Sequence, residues 1–143
     1  MSRFLNKVAV VTGAGSGIGK TIVKAYAEQG AKVIVSDIND EHGRAVVKAI
    51  QDLGGTAYYI KANTADPEQV EALIAKTVEH YGRLDIMCNN AGIGGTPAPA
   101  AETSIEDWKK IIDINFNGVF YGCKYATQQM LKNGGGAIVN IAS

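Results

Sequence analysis

Short apolar runs alternate with segments of helical periodicity along the whole chain. Five runs rich in β-branched residues predict strands, at residues 7–12, 32–37, 56–61, 84–89 and 137–142. Their nearly continuous apolar character is typical of strands that are covered on both faces. Because each intervening segment is long enough to return the chain in the same direction, the pattern predicts an open parallel sheet with helices on both sides.

Four predicted helices separate the strands, with apolar residues three and four positions apart. The third has the clearest boundaries, since Asp66 suits the N-cap, Pro67 the first helical position and Gly82 the end. Gln69 stands where it would complete a capping box with Asp66. The first helix carries Ile18, Ile22 and Tyr26, and the second carries Val46, Ile50 and Leu53.

The fourth helix is predicted as a single long one, from about Ser104 to Lys132, ended by the glycines at 134–136. Its apolar stripe contains Trp108, which we expect to pack, and also Asn115. An asparagine on such a stripe would be buried and would need hydrogen-bond partners. Besides a functional role, its side chain could satisfy local backbone groups at a distortion of the helix, and the two interpretations are compatible. Residues 93–103, rich in glycine, proline and alanine, are predicted to form one irregular surface loop.

Composition restricts the chain to a single predicted domain spanning residues 1–143, with enough apolar residues for a core (46% hydrophobic, 20% charged). Fourteen basic residues balance fourteen acidic ones, so no charge excess favours nucleic acid or an anionic membrane. No apolar run approaches the roughly 18 residues of a membrane span. With no signal segment at its start and two cysteines that suit reduced thiols, the chain is predicted to be cytoplasmic. His42 and His80 lack neighbours at metal spacing, so no metal site is expected.

A glycine-rich turn follows the first strand and leads directly into a helix, at residues 12–19. Glycines there would let the backbone approach a pyrophosphate, which the N-terminus of the helix would attract. The spacing is G-x-x-x-G-x-G, and Ile18 stands where the dinucleotide fingerprint G-x-G-x-x-G would have its last glycine. A tight strand-to-helix connection is the alternative interpretation of this turn.

Asp37 ends the second strand, about 20 residues beyond the glycine turn, where an acidic residue binds the adenosine ribose in dinucleotide sites. The alternative is that Asp37 caps the next helix together with Asn39 or Asp40. The pairing of turn and acid favours cofactor binding. A carboxylate there would repel a 2′-phosphate, and the neighbouring Ser16 and Ile38 carry no compensating charge, so the sequence predicts NAD rather than NADP.

Four motifs in order carry a family resemblance. They are the turn at 12–19, Asn89-Asn90-Ala91-Gly92 after the fourth strand, Asn115 in the long helix, and the strand at 138–143 that ends in Ser143. With these motifs the whole chain resembles the N-terminal part of the short-chain dehydrogenase/reductase family. The resemblance implies a Rossmann-type doubly wound α/β fold with strand order 3-2-1-4-5, lacking the last two strands of the family. It also implies a nicotinamide cofactor and a homo-oligomer, either dimer or tetramer.

By the same resemblance, the protein would be an oxidoreductase that moves hydride between NAD and an alcohol or ketone. Ser143 would orient the substrate oxygen, and Asn115 would hold a water of the proton relay. Asn63 departs from the family's usual aspartate, but its carbonyl oxygen still accepts a hydrogen bond from adenine. The implied cofactor-binding residues are Gly13, Ser16, Gly17, Ile18, Asp37, Asn63, Thr64, Asn90, Ala91 and Gly92.

The catalytic Tyr-x-x-x-Lys of the family is absent, because none of the six tyrosines is followed four residues later by lysine. We therefore expect residues 1–143 to be a truncated part that binds cofactor without catalysing the reaction, and to expose a flat apolar edge at its last strand. A non-catalytic nucleotide-binding module is the main alternative. An S-adenosylmethionine-dependent methyltransferase is a more distant one, since it also follows a glycine-rich turn with an acidic residue.

Overall fold

A computed structural model describes residues 2–142 and contains a central parallel sheet. Its strands are β1 (Val8–Thr12), β2 (Lys32–Asp37), β3 (Thr56–Lys61), β4 (Ile86–Asn89) and β5 (Ala137–Asn140). Their order across the sheet is β3-β2-β1-β4-β5, and every neighbouring pair is parallel. The predicted Rossmann-type strand order is confirmed. Because the winding direction reverses between β1 and β4, a crevice opens at the carboxyl ends of these two strands.

Helices cover both faces of the sheet. They are α1 (Gly17–Glu28), α2 (Asp40–Asp52), α3 (Pro67–Tyr81), α4 (Ile105–Ile112) and α5 (Gly118–Lys132). Side chains of β1 alternate between two cores, since Val11 packs with residues of α1 and α2 whereas Val10 packs with residues of α3 and α5. All five residues of β1 are buried, as expected for a central parallel strand.

The predicted boundaries of α3 are confirmed, with one change at its first turn. Asp66 is the N-cap and accepts a hydrogen bond from the Glu68 N–H, and Gly82 ends the helix with φ +84°. Gln69 does not complete a capping box. Its amide instead donates to the Asp66 carboxylate (3.0 Å), and its carbonyl oxygen accepts from the Asn63 N–H (2.8 Å). Gln69 therefore connects the helix to the end of β3.

The prediction of one uninterrupted long helix is wrong. A π-helical turn, Asp113–Asn117, separates α4 from α5. Trp108 is 56% exposed and is not the packing residue that its position suggested. Leu53, predicted on the apolar face of α2, lies just beyond the helix and is 79% exposed. The Leu53 prediction fails because it extends the periodic pattern past the end of α2, whereas Trp108 lies within α4 on an exposed side of that helix.

A buried carboxylate holds the amino ends of β1 and β4 together. Asp85 accepts a hydrogen bond from the Val8 N–H (2.9 Å), and its carboxylate pairs with the Arg83 guanidinium at 2.7 Å. Burial by itself would raise the pKa of Asp85, but the hydrogen bonds from Arg83 and Val8 and the nearby positive charges lower it below its ordinary value. Asp85 is therefore a charged group that links the beginnings of β1 and β4.

Candidate functional site

A cavity of about 510 Å³ lies at the carboxyl ends of β1 to β4. Its volume is within the range of about 300–1,000 Å³ that is typical of small-molecule sites. It is lined by Gly13, Ser16, Gly17, Ile18, Asp37, Ile38, Ala62, Asn63, Thr64, Asn90, Ala91, Gly92, Ile93 and Ile114. All ten residues that the sequence predicted to bind a cofactor lie on its wall, although they come from four separate segments of the chain.

The glycine turn forms one wall of this cavity with exposed backbone. Gly13 and Gly17 have φ values of +61° and +53°, which side-chain-bearing residues rarely adopt. A Cβ at Gly13 would lie 2.9 Å from the Ala91 Cα, and a Cβ at Gly19 would overlap the Gly13 carbonyl. No atom lies within 4 Å of the Cβ position at Gly17, where α1 begins. The N-terminus of α1 therefore borders an open part of the cavity, which leaves room for a group such as a pyrophosphate.

Thr12 and Asn90 fix the turn against the loop that follows β4. The Thr12 hydroxyl accepts hydrogen bonds from the N–H groups of Asn90 and Ala91, both at 3.0 Å. In return, the Asn90 side-chain amide donates to the Thr12 carbonyl at 3.1 Å. Since each segment holds the other, the glycine turn and the loop at 90–92 form one rigid border of the cavity.

Asp37, which the sequence predicts to bind the ribose, lies on the cavity wall at the end of β2. One carboxylate oxygen accepts a hydrogen bond from the Gly15 N–H (2.9 Å), and the other accepts from the Asn39 N–H (3.0 Å). Asn39, not Asp37, is the N-cap of α2 and accepts from the His42 N–H. The alternative role of Asp37 as a helix cap therefore does not apply, and its carboxylate lies on the cavity wall with lone pairs that could accept from hydroxyls.

Asn63 and Thr64 form the wall beyond β3. The Asn63 side-chain carbonyl accepts a hydrogen bond from the Ala65 N–H at 3.0 Å, so one of its lone pairs is used locally. Thr64 is buried against α5, where a Cβ at Gly118 would lie 2.8 Å from the Thr64 carbonyl oxygen. The second lone pair of the Asn63 oxygen remains for a donor in the cavity.

Asn115 lies in the π-helical turn and is exposed, so the expectation of a buried asparagine on an apolar stripe is wrong. The extra residue of the turn rotates its side chain toward the loop that follows the cavity wall. There it makes two hydrogen bonds with Ile93, accepting from the N–H at 2.8 Å and donating to the carbonyl at 2.7 Å. Its side chain thus satisfies backbone groups at a helix distortion, and it holds in place a residue that lines the cavity.

Ser143, the other predicted catalytic residue, lies outside the described residues. The strand that leads to it is held at its carboxyl end by Asn140, whose side-chain oxygen accepts from the Asn89 amide at 2.9 Å. A Cβ at Gly122 would overlap the Asn89 side chain, so α5 approaches β4 closely at this point. The end of β5 is therefore fixed to β4 beside the cavity.

Four lining residues were not predicted as site residues. Ile38, Ala62 and Ile93 each lie within a residue or two of a predicted position at a strand end or loop, and that adjacency was a usable signal. Ile114 reaches the cavity from the π-helical turn, for which the sequence gives no periodic signal.

Within residues 2–142, no group of three or more His, Cys, Asp or Glu side chains is placed to hold a metal ion. Nor does any helix in this range have the length and apolarity needed to cross a membrane.

Comparison with known proteins gives consistent matches over nearly the whole chain. A family model described as short chain dehydrogenase matches residues 7–143. A cyclohexanol dehydrogenase of Acinetobacter sp. (strain SE19) is 50% identical over 99% of this chain and 57% of its own length. A 3beta-hydroxysteroid dehydrogenase of Mediterraneibacter gnavus is 40% identical over 100% of this chain and 51% of its own length.

Among solved structures, a 7 alpha-hydroxysteroid dehydrogenase complexed with NADH and 7-oxo glycochenodeoxycholic acid superposes with a TM-score of 0.93. It is 38% identical in sequence, and the match covers 99% of this chain and 55% of that chain. The chain therefore spans little more than half the length of the curated relatives and the structure that it matches.

Proposed function

Because the chain belongs to the short-chain dehydrogenase family, we propose that residues 1–143 are a single dinucleotide-binding domain that takes NAD in the cavity at the carboxyl ends of β1 to β4. One observation carries the proposal: ten residues chosen from sequence motifs line the same cavity. The 7 alpha-hydroxysteroid dehydrogenase complexed with NADH supports the same class of cofactor.

Each wall of the cavity would hold a different part of a dinucleotide. The turn residues Gly13, Ser16, Gly17 and Ile18 would surround the pyrophosphate, because bare backbone and the N-terminus of α1 meet there. Asp37 would accept hydrogen bonds from the ribose hydroxyls. Asn63 and Thr64 would contact the adenine, and Asn90, Ala91 and Gly92 would line the nicotinamide end.

The charge of the cavity favours NAD over NADP. Asp37 is the only charged residue among those that line it, and none of these lining residues is lysine or arginine. A 2′-phosphate would therefore meet a carboxylate with no cation on the wall to offset the repulsion.

For the complete protein we propose an NAD-dependent dehydrogenase that acts on a small alcohol or ketone. The dehydrogenase names of the relatives support this reaction class. The bound nicotinamide would accept hydride from the alcohol carbon. Ser143 would orient the substrate oxygen, and Asn115 would hold the wall through Ile93 and take part in the proton relay. Because residues 1–143 contain no Tyr-x-x-x-Lys, we expect this part to bind cofactor without turnover.

Calorimetric titration of the purified chain with NADH, NADPH and S-adenosylmethionine tests the proposal. We expect NADH to bind at least about tenfold more tightly than NADPH, and S-adenosylmethionine not to bind. Binding of S-adenosylmethionine alone would overturn it in favour of the methyltransferase alternative.

The other alternative, a non-catalytic nucleotide-binding module, predicts the same binding. Reading the gene beyond codon 143 distinguishes the two. A Tyr-x-x-x-Lys within about a dozen to fifteen residues would support the dehydrogenase, and its absence would support the module. Homo-oligomerisation and a cytoplasmic location remain predictions from the sequence.

A further inference from the structure

Tyr59 on β3 reaches the segment that carries Asp37. Its hydroxyl lies 2.7 Å from a carboxylate oxygen of Asp40 and 3.0 Å from the backbone carbonyl of Asp37. We propose that Tyr59 is a positioning residue that holds Asp37 toward the ribose and so increases the preference for NAD over NADP. The inference rests on the cofactor proposed above and assigns a role to a residue outside the cavity wall.

The Tyr59 ring packs against two adjacent residues of α2. A Cβ at Gly43 would overlap the ring, so the helix backbone packs directly against it. The Arg44 guanidinium lies 5.4 Å from the ring centroid on the helix that begins at Asp40. Because the ring has little room to move, its hydroxyl is kept at the first turn of α2.

The segment from Asp37 to Asp40 is held at both ends. Gly15 and Asn39 donate to the Asp37 carboxylate, and the Ala62 N–H donates to the Asp37 carbonyl at 3.3 Å. At the other end, the Tyr59 phenol lies 2.7 Å from the Asp40 carboxylate, a length typical of a charge-assisted hydrogen bond. A phenol has one proton, so it donates to the nearby carboxylate or to the Asp37 carbonyl at any instant.

The phenol keeps this proton throughout the neutral pH range. Burial, and then the hydrogen bond to Asp40, raise the pKa of Tyr59 well above its ordinary value. Loss of the hydroxyl would leave the Asp40 carboxylate with only the Lys61 ammonium at 4.0 Å as a partner, and would loosen the turn between β2 and α2. The Asp37 carboxylate would then spend part of its time away from the ribose position. That change weakens contacts to a 2′-hydroxyl but not to a 2′-phosphate, which the carboxylate repels.

The test compares Tyr59→Phe with Tyr58→Phe, which removes a hydroxyl from the preceding residue, whose ring stacks on His80 at 3.9 Å. Dissociation constants for NADH and NADPH are measured by titration, together with the thermal midpoint. We expect Tyr59→Phe to weaken NADH binding about three- to tenfold and NADPH binding less than twofold, consistent with the loss of one hydrogen bond. Tyr58→Phe should leave both constants unchanged.

Equal weakening of both cofactors would show a merely structural role for Tyr59 and overturn the inference, as would no change in either. If the wild-type chain binds no NADH, the proposed cofactor fails instead, so the two failures are distinguishable. If Tyr59→Phe does not fold, Asp40→Ala decides the question against Glu41→Ala, which removes the same charge from the next residue. The inference is supported if Asp40→Ala weakens NADH binding more than NADPH binding and Glu41→Ala does not. It is overturned if the two variants bind both cofactors with the same dissociation constants.

Discussion

The Asp37 carboxylate accepts a hydrogen bond from the Gly15 N–H at 2.9 Å, which links two parts of the cavity wall that are 22 residues apart in sequence. A Cβ at Gly15 would lie 2.8 Å from the same carboxylate oxygen, so any other residue there would push the carboxylate away from its present position. The glycine turn therefore borders the proposed pyrophosphate position with its backbone and also orients the acidic residue proposed to bind the ribose. An acceptor that is already oriented costs less conformational entropy when a ligand binds.

Replacement of this acceptor should change cofactor preference more than stability. In Asp37→Ala we expect NADH binding to weaken about tenfold to a hundredfold, because hydrogen bonds to a charged group each contribute about 1.5–3 kcal/mol. NADPH binding should weaken little or improve, since the repelling charge is gone. Titration with both cofactors measures the ratio of the dissociation constants for NADH and NADPH. Asp52→Ala, at the exposed end of α2 beside Lys48, is the matched control and should bind as the wild type does. Unchanged NADH affinity in Asp37→Ala would contradict the assigned ribose site.

Gly17 offers a test of the pyrophosphate position. Gly17→Ala places a methyl group on the cavity wall at a φ of +53°, where we expect at least a tenfold loss of NADH affinity. Gly54→Ala is a matched control, since Gly54 has φ +86°, no atom within 4 Å of its Cβ position and no place on this wall. Both variants should lose about 1–2 kcal/mol of stability from backbone strain. Equal NADH binding by the two variants would show that Gly17 does not face the cofactor.

Stability should fall at acid pH because of Asp85. The pKa of Asp85 in the folded chain is lower than its ordinary value of 3.8, so the carboxylate stabilises the fold fully above that value. The contribution is lost as the pH falls through the lowered folded pKa. Urea unfolding between pH 7 and pH 2 measures the change.

Asp85→Asn should remove this part of the pH dependence and cost about 1–3 kcal/mol at pH 7, since Arg83 and the Val8 N–H lose a charged partner. Asp52→Asn is the control and should keep the wild-type dependence of the free energy of unfolding on pH. If Asp85→Asn unfolds with the same pH dependence as the wild type, the stabilising charge lies elsewhere.

The outer strand β5 should promote association of residues 1–143. Ile138 packs against the core beside α5, whereas Val139 points to the opposite face and is 40% exposed. We expect light scattering after gel filtration to detect oligomers or aggregates, and Val139→Lys to increase the monomer fraction. Thr56→Lys adds the same charge at the other edge strand, β3, and should leave the monomer fraction unchanged. A monodisperse wild-type monomer with cooperative unfolding would contradict this prediction.

Sequence reasoning located most of the cavity because parallel strands bring their carboxyl ends to one edge. Residues at or just after the end of a strand therefore line the cavity whichever strand they belong to, as with Gly13, Asp37 and Asn90. The strand order followed from the family motifs, and it is confirmed.

The missed features depend on pairs of side chains that are distant in sequence. Nothing near Tyr59 indicates that its hydroxyl reaches Asp40, and Gln69 matched a local capping rule but binds Asn63 instead. Asn115 was placed on a helical stripe because a period of 3.6 was assumed throughout. The π-helical turn changes that period within five residues, and a pattern count over a longer segment averages the change away.

The π-helical turn, Asp113–Asn117, makes the number of residues between α4 and α5 critical. A residue added to a regular helix turns everything after it by about 100° about the axis. With the turn in place, Asp107 before it accepts from the Thr96 N–H, while Ala126 and Met130 after it are buried beneath the sheet. Removing a single amino acid between 113 and 117 would rotate α4 relative to α5. Either the Asp107 hydrogen bond to Thr96 or the burial of Ala126 and Met130 would then be lost. Homologous sequences should therefore be free of gaps across the turn at 113–117.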